Sequence, residues 1–356
     1  MKKLLIALLI FGCILTANTT ALELKEGRIK LILHENNGRI SIYYQNKLVS
    51  EEYTSLLLKQ DPRTSGITLM INNRLLRLGD TYEFKQSITN TRSGSAFEWE
   101  SKQLKVTESF SFVTSPGSSI ADGIKIDLEI ENISEDSLSV GMKYLFDTYL
   151  GESTRNDAHF YISDNSSIDT ETSLKGLLPD YWYSSGNKDS EVGLLVMLDN
   201  DIVTSPDRIT FANWKRLDES GWTLNIKDER NFNLLPYSIN DSAVSHYYEP
   251  IRLPVGSKRI ITLVLGNKSQ AGFASTSKTE TDSSLDDLYN RVASENTSGS
   301  VESLENSIRN ELTLTEDLIT HIYRLLESNE PLSASELNTL NVMIETLEKT
   351  KEKFED

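Results

Sequence analysis

From Glu23 to about Asn267 the chain alternates apolar and polar residues with a period of two. Ile40, Ile42 and Tyr44 alternate with Ser41 and Tyr43, and Phe110 and Phe112 alternate with serines. Ile124, Ile126, Leu128 and Ile130 alternate with Lys125, Asp127, Glu129 and Glu131, and Met142, Tyr144 and Phe146 continue the pattern. Successive side chains of a strand point to opposite faces, so this pattern predicts strands with one face in a core and the other in water. Turn formers separate the runs: Asn36-Asn37-Gly38, Asn72-Asn73, Ser115-Pro116-Gly117 and Asn132 to Ser137. Asn and Gly accept the positive φ of tight hairpins. Many strands with hairpin links and no helical runs between them predict a mainly β fold, a large antiparallel β-sandwich over 22–267. That length exceeds a single immunoglobulin-like module of about 100 residues. One two-sheet supersandwich is the first expectation, and two tandem sandwiches are the second.

The period then changes. Residues 268–283 are small and polar and read as a linker. In 284–356, Leu285, Leu288 and Val292 start a short helix, and Leu304, Ile308, Leu312, Ile319, Ile322 and Leu326 form the stripe of a longer one. Ser333 and Glu336 fit a capping box, with Leu332 and Leu337 as its hydrophobic staple, ahead of a third helix through Leu340, Ile344 and Leu347. A C-terminal α-helical hairpin is expected there. It is strongly acidic: residues 281–356 hold 17 acidic and 6 basic side chains, against 36 and 30 in the rest. Its apolar stripes must bury against its own sandwich or against another chain.

At the other end, Lys2 and Lys3 precede an apolar run from Leu4 to Leu15, and Thr19 and Ala21 occupy small-residue cleavage positions. A membrane-spanning helix needs roughly 20 apolar residues, so 1–21 reads as a cleaved signal peptide and the chain as periplasmic. The single cysteine, Cys13, lies inside this leader. The mature sandwich therefore stands without disulfides. The alternative is a lipoprotein anchored at Cys13. No later segment is apolar enough to span a bilayer, and a net charge of −17 argues against nucleic acid and anionic lipid as partners.

No metal-type histidine spacing, phosphate loop or nucleophile elbow occurs. Three patches remain. Asp147 and Glu152, with Asn156 and Asp157, put hard oxygen donors at a strand end, where calcium would be the cofactor. They match no defined calcium loop, and Asp and Asn are common turn formers. Tyr181, Trp182 and Trp214, beside Asp147 and Asp180, offer aromatic faces next to carboxylates, which is how proteins grip sugar rings; the plainer reading makes the tryptophans core plugs. His246 and Glu249 form an acid–base candidate pair, while the neighbours Ser245 and His246 point to opposite faces and cannot converge.

In order along the chain, Val140-Gly141, Phe146 to Gly151, Pro179 to Trp182, Pro206-Asp207-Arg208 with Trp214, and Asp241 to Val244 with Tyr247 to Pro250 and Gly256 form a series. Over about 120–266 this series resembles a group of exported bacterial β-sandwich proteins whose sandwich looks like the galactose-mutarotase type. The resemblance implies a galactose-mutarotase-like supersandwich of the kind many carbohydrate-active proteins use. An aldose epimerase of that fold uses a histidine acid and a glutamate base, and the matched residues do not place that histidine. The first expectation is thus a non-enzymatic envelope scaffold whose helical tail contacts an envelope protein partner in a cell-surface or appendage-type assembly. The alternative is a carbohydrate-binding or carbohydrate-modifying periplasmic protein, with a glycan as its ligand.

Overall fold

The structure is a computed structural model that describes residues 21–47, 52–91, 94–116, 118, 120–152, 159–186, 190–269 and 271–273. The leader and the acidic tail lie outside the described residues, as do Asn156 and Asp157.

Nineteen strands are described, running in chain order: β1 (Ala21–Glu26), β2 (Ile29–His34), β3 (Arg39–Gln45), β4 (Tyr53–Ser55), β5 (Gly66–Ile71), β6 (Arg74–Arg77), β7 (Lys85–Thr91), β8 (Gly94–Glu100), β9 (Leu104–Val113), β10 (Gly123–Asn132), β11 (Leu138–Thr148), β12 (Phe160–Ile162), β13 (Ser167–Ile168), β14 (Thr172–Lys175), β15 (Tyr181–Ser185), β16 (Gly193–Met197), β17 (Arg208–Asn213), β18 (Ser242–Leu253) and β19 (Lys258–Asn267). One short helix, α1 (Trp214–Glu219), interrupts them. All described pairings are antiparallel.

They build a nine-stranded sheet in the order β13-β12-β15-β16-β19-β10-β9-β8-β7 and a six-stranded sheet in the order β14-β17-β18-β11-β5-β6. A four-stranded sheet, β1-β2-β3-β4, joins them, so there are three sheets where two were expected. One hydrophobic cluster draws on all three, from Ile29 and Leu31 through Ile124, Ile126 and Leu128 to Phe146, Trp182 and Tyr248. A single continuous core decides for one sandwich over two in tandem.

The alternation holds well in β10, where Ile124, Ile126, Leu128 and Ile130 are buried between less buried polar neighbours. It misleads in β11. There Met142, Tyr144 and Phe146 enter the core, yet Lys143 and Asp147, on the face expected to meet water, are buried as well. The cover is α1. Asn213 starts it, its side-chain oxygen accepting the backbone N–H of Arg216 as an N-cap. Leu217 of α1 then packs on Leu145 and the small residues Ala212 and Ala243, and Arg216 is ion-paired with buried Glu171. Phe273, inside the segment read as linker, is also part of the sandwich: it is 1% exposed, and its carbonyl accepts from the Asn200 amide at 2.8 Å.

Candidate functional site

Strands β17, β18 and β11 lie side by side with fixed register, pairing Ala212 with Ala243 and Ala243 with Asp147. The small side chains of Ala212 and Ala243 let Leu217 of α1 pack down over this end of the sheet. Asp147 closes β11, and the chain turns through the 3-10 segment Leu150–Glu152. The turn is tight at Gly151, where a Cβ would lie 2.4 Å from the His159 carbonyl oxygen. Glu152 is carried back over β18 and accepts from the Ser242 N–H at 2.7 Å and the Ser242 hydroxyl at 3.1 Å. Asp241 stands one residue before that strand.

One carboxylate oxygen each from Asp147, Glu152 and Asp241 lies within 4.8 Å of the others. Burial pushes Asp147 up to about 7 and Glu152 up to about 8, and it raises Asp241 as well. The mutual repulsion of the acids adds to the rise at Asp147 and Glu152. Like charges this close do not all ionise, so near neutral pH the group holds protons and carboxylate oxygens together. It can donate and accept hydrogen bonds at one spot. As a donor set it would also suit a hard cation once fully ionised. Of the four calcium candidates, Asp147 and Glu152 come together, Asn156 and Asp157 lie outside the described residues, and Asp241 joins from 94 positions along the chain.

Trp214 adjoins the group, and Tyr237 lies four residues before Asp241 in the chain. Trp214 opens α1 and is half-buried; its backbone N–H donates to the Asp241 carbonyl at 2.9 Å and its indole N–H to the Thr64 carbonyl at 2.9 Å. The Thr64 side chain in turn reaches the Asp147 carboxyl. Tyr237 sits in the loop before Asp241 and is 71% exposed, between Leu235 at 73% and Ile239 at 70%. That loop is held in shape. The Leu234 N–H donates to the Ser238 carbonyl at 2.9 Å, the Asn240 N–H to the Asn233 side chain at 2.7 Å, and the Asn213 amide to the Ser238 hydroxyl at 2.9 Å. Ser238 also hydrogen-bonds the Asp241 carboxyl. Leu235, Tyr237 and Ile239 thus stand in water on a pinned loop that leads into Asp241, and exposed apolar groups gathered in one place mark a contact surface.

The other sequence candidates fall elsewhere. Trp182 is fully buried, edge-on to Phe146, Phe160 and Phe211, with ring centroids 5.8–6.1 Å away. Its indole N–H donates to His246 Nε2 at 2.8 Å. Trp182 is therefore a core plug and presents no open platform. Tyr181 points to the opposite face of β15, into a small cluster with Tyr183, Leu195 and Phe273, so Tyr181, Trp182 and Trp214 do not line one groove. Asp180 is an exposed turn residue whose carbonyl accepts from Leu198 and Asp199. The His246/Glu249 pair does not form. Burial drives His246 down to about 3 and the Trp182 indole occupies its Nε2, while Glu249 lies on the other face of β18 and takes the Trp222 indole N–H at 2.8 Å. With its lone pair engaged inside the core, His246 has no substrate to serve.

Sequence reasoning missed two members of the site, Asp241 and Tyr237. Asp241 lies four and five residues before Ser245 and His246 in the sequence, and its neighbours in the site lie across the β11–β18 pair.

No protein-family profile and no characterised protein sequence matches the chain. Among solved structures, it is similar to a galactose mutarotase related enzyme from Lactobacillus acidophilus, with a TM-score of 0.44 and 9% identity over 72% of this chain and 99% of that one. It is similar to a galactose mutarotase-like protein from Lactobacillus casei, with a TM-score of 0.42 and 8% identity over 70% and 100%. It is also similar to 4-alpha-glucanotransferase from Thermococcus litoralis, with a TM-score of 0.37 and 8% identity over 70% and 38%. Likenesses of this size carry no weight for the chemistry of the site, and the sandwich stands on the chain's own strand pairing.

Proposed function

We propose that the chain binds a carbohydrate at the end of the six-stranded sheet, with Asp147, Glu152 and Asp241 facing the hydroxyl groups and Tyr237 and Trp214 supplying the apolar wall. One observation carries this: three carboxyl groups within 4.8 Å of one another stand beside a half-buried tryptophan and a pinned loop with an exposed tyrosine. A sugar ring presents hydroxyls that both donate and accept, and a C–H face that is apolar. The carboxyl group set matches the first property and the aromatic residues match the second. A protonated carboxyl beside a carboxylate can also pass a proton between two oxygens of one ligand, which is what a mutarotase-like reaction needs. With the lysine-led segment 2–15 read as an export signal, this binding would take place in the periplasm.

Isothermal titration of the wild type against a panel of mono- and disaccharides tests the reading. At least one sugar is expected to give saturable heat, weakened tenfold or more in Asp147→Asn. Failure of every sugar to bind the folded wild type would contradict it.

A further inference from the structure

Away from the carboxyl group, the outer face of the six-stranded sheet holds a second hollow. One rung of the sheet sets Arg208, Tyr247, Lys143, Thr68 and Arg77 side by side across β17, β18, β11, β5 and β6. Over part of that rung is a hollow of about 180 Å³, lined by Thr68, Leu75, Lys143, Leu145 and the Arg77–Asp218 ion pair. Its rim is partly exposed, with Leu75 at 37% and the ion-pair side chains at 23% and 26%. Lys143 is four residues from Asp147 along an extended strand, about 13 Å at ~3.3 Å per residue, so the two sites are separate.

Lys143 is 4% exposed, and its Nζ lies 3.1 Å from the Leu217 carbonyl and 3.1 Å from the Gly221 carbonyl, at the end of α1. Among the described residues no carboxylate is ion-paired with it, and Asp218, which lines the same hollow, is ion-paired with Arg77. A neutral lysine amine has two N–H groups and one lone pair. Two carbonyls accept the two N–H groups, which leaves the lone pair for the hollow that Lys143 lines. An ammonium would instead carry a third N–H there. Burial, joined by the facing guanidinium groups of Arg77 and Arg208, outweighs the facing carboxylate of Asp218 and lowers the amine to about 8.

We infer that Lys143 is a reactive amine that forms an imine with small carbonyl compounds admitted to this hollow. The Nζ lone pair attacks the carbonyl carbon, the two amine protons leave with the carbonyl oxygen as water, and a C=N bond remains. The size limits the ligand: an apolar cavity of about 150 Å³ accommodates benzene, so a short aldehyde or ketone fits and a disaccharide does not. Thr68 offers a hydroxyl to such a ligand, and Leu75 and Leu145 offer apolar contact.

The test uses the intact wild type, incubated at pH 7.5 with glycolaldehyde and cyanoborohydride, with each lysine followed by peptide mass spectrometry. Lys143 is expected to be reductively alkylated at least tenfold faster than the exposed Lys47 and Lys59, and to lose this preference in denaturant. Lys143→Arg, which keeps donors for the two carbonyls, is expected to stay folded and to lack the fast-labelling peptide. Lys143 reacting no faster than Lys47 and Lys59, or not at all, would overturn the inference and leave it as a staple for the end of α1.

Discussion

At β11, β17 and β18 both faces of the six-stranded sheet are buried, yet they are built differently. The inner face is aromatic and closed: Phe146, Trp182 and His246 interlock with ring centroids 5.1–6.1 Å apart, and the one polar contact among them, indole to imidazole, is internal. The outer face carries Lys143, Asp147, Ser245, Tyr247 and Arg208 under a helix of one and a half turns and the segment after it. Its polar groups are only partly matched. The Ser245 and Tyr247 hydroxyls have no partner in hydrogen-bond geometry, although Tyr247 lies among Ser245, Ser220 and Arg208, and the Arg208 guanidinium sits 3.6 Å over the Tyr247 ring. Burial of polar groups without full pairing costs stability. His246 Nδ1 on the inner face is without a partner as well, so the two faces differ in what fills them: aromatic rings on the inner one, charged and hydroxyl groups beneath α1 on the outer one.

The largest effect is expected inside. Trp182→Ala removes the centre of the aromatic core and strands His246, and about 3–5 kcal/mol of stability should be lost in urea unfolding. A loss under 1 kcal/mol would mean that the core is not closed there.

Next comes the pH dependence at the carboxyl end. Asp147 and Glu152 have folded values of about 7 and 8, above their ordinary carboxylate values, so the folded chain holds protons that the unfolded chain releases. Their contribution is full below about pH 4 and is lost as pH rises through 7 to 8. Buried Glu108, raised to about 8 on the inner side, adds a decline of the same sign. Asp147→Asn and Glu152→Gln should flatten the outer part of the slope and melt higher than the wild type at pH 8. Above pH 6.5, where the rise contributed by buried His246 is complete, a wild-type stability that still climbs toward pH 8 would show these acids to be ionised and paired.

A smaller effect is expected at Glu249, which holds the Trp222 indole and faces Arg208 at 3.5 Å on the outer side. Glu249→Gln should cost about 1 kcal/mol and leave sugar binding unchanged, because it is fastening and not chemistry. The smallest stability change belongs to Tyr237→Ala. At 71% exposure the ring stabilises little, so unfolding should move by less than about 0.5 kcal/mol while saccharide affinity falls about tenfold. Loss of both together would make Tyr237 a structural residue.

The difference between the faces also explains what the sequence could disclose. Period-two alternation in Ile124 to Ile130 and in Met142, Tyr144 and Phe146 is a local signal, and it correctly assigned the inner face of each strand. Whether the other face meets water depends on what lies over it, and the cover is six residues, Trp214–Glu219, too short to show a helical period. Trp182 as core plug and Trp214 as surface ring have equal standing in sequence, because a tryptophan fits either place. The carboxyl site was half visible. Asp147 and Glu152 are near in sequence, whereas Asp241 arrives through the pairing of Asp147 with Ala243, which no spacing along the chain encodes. Tyr237 is hidden for a different reason: Leu234, Leu235, Tyr237 and Ile239 suit a core strand equally well in sequence, and only the fold leaves Leu235, Tyr237 and Ile239 exposed.

The most direct measurement is a crystal structure of the wild type soaked with whichever saccharide binds in titration. A pyranose ring against Tyr237 and Trp214, with hydroxyls within about 3 Å of carboxyl oxygens of Asp147, Glu152 or Asp241, is the predicted result. Sugar density at another place on the molecule, with this end of the sheet holding only water, would contradict it.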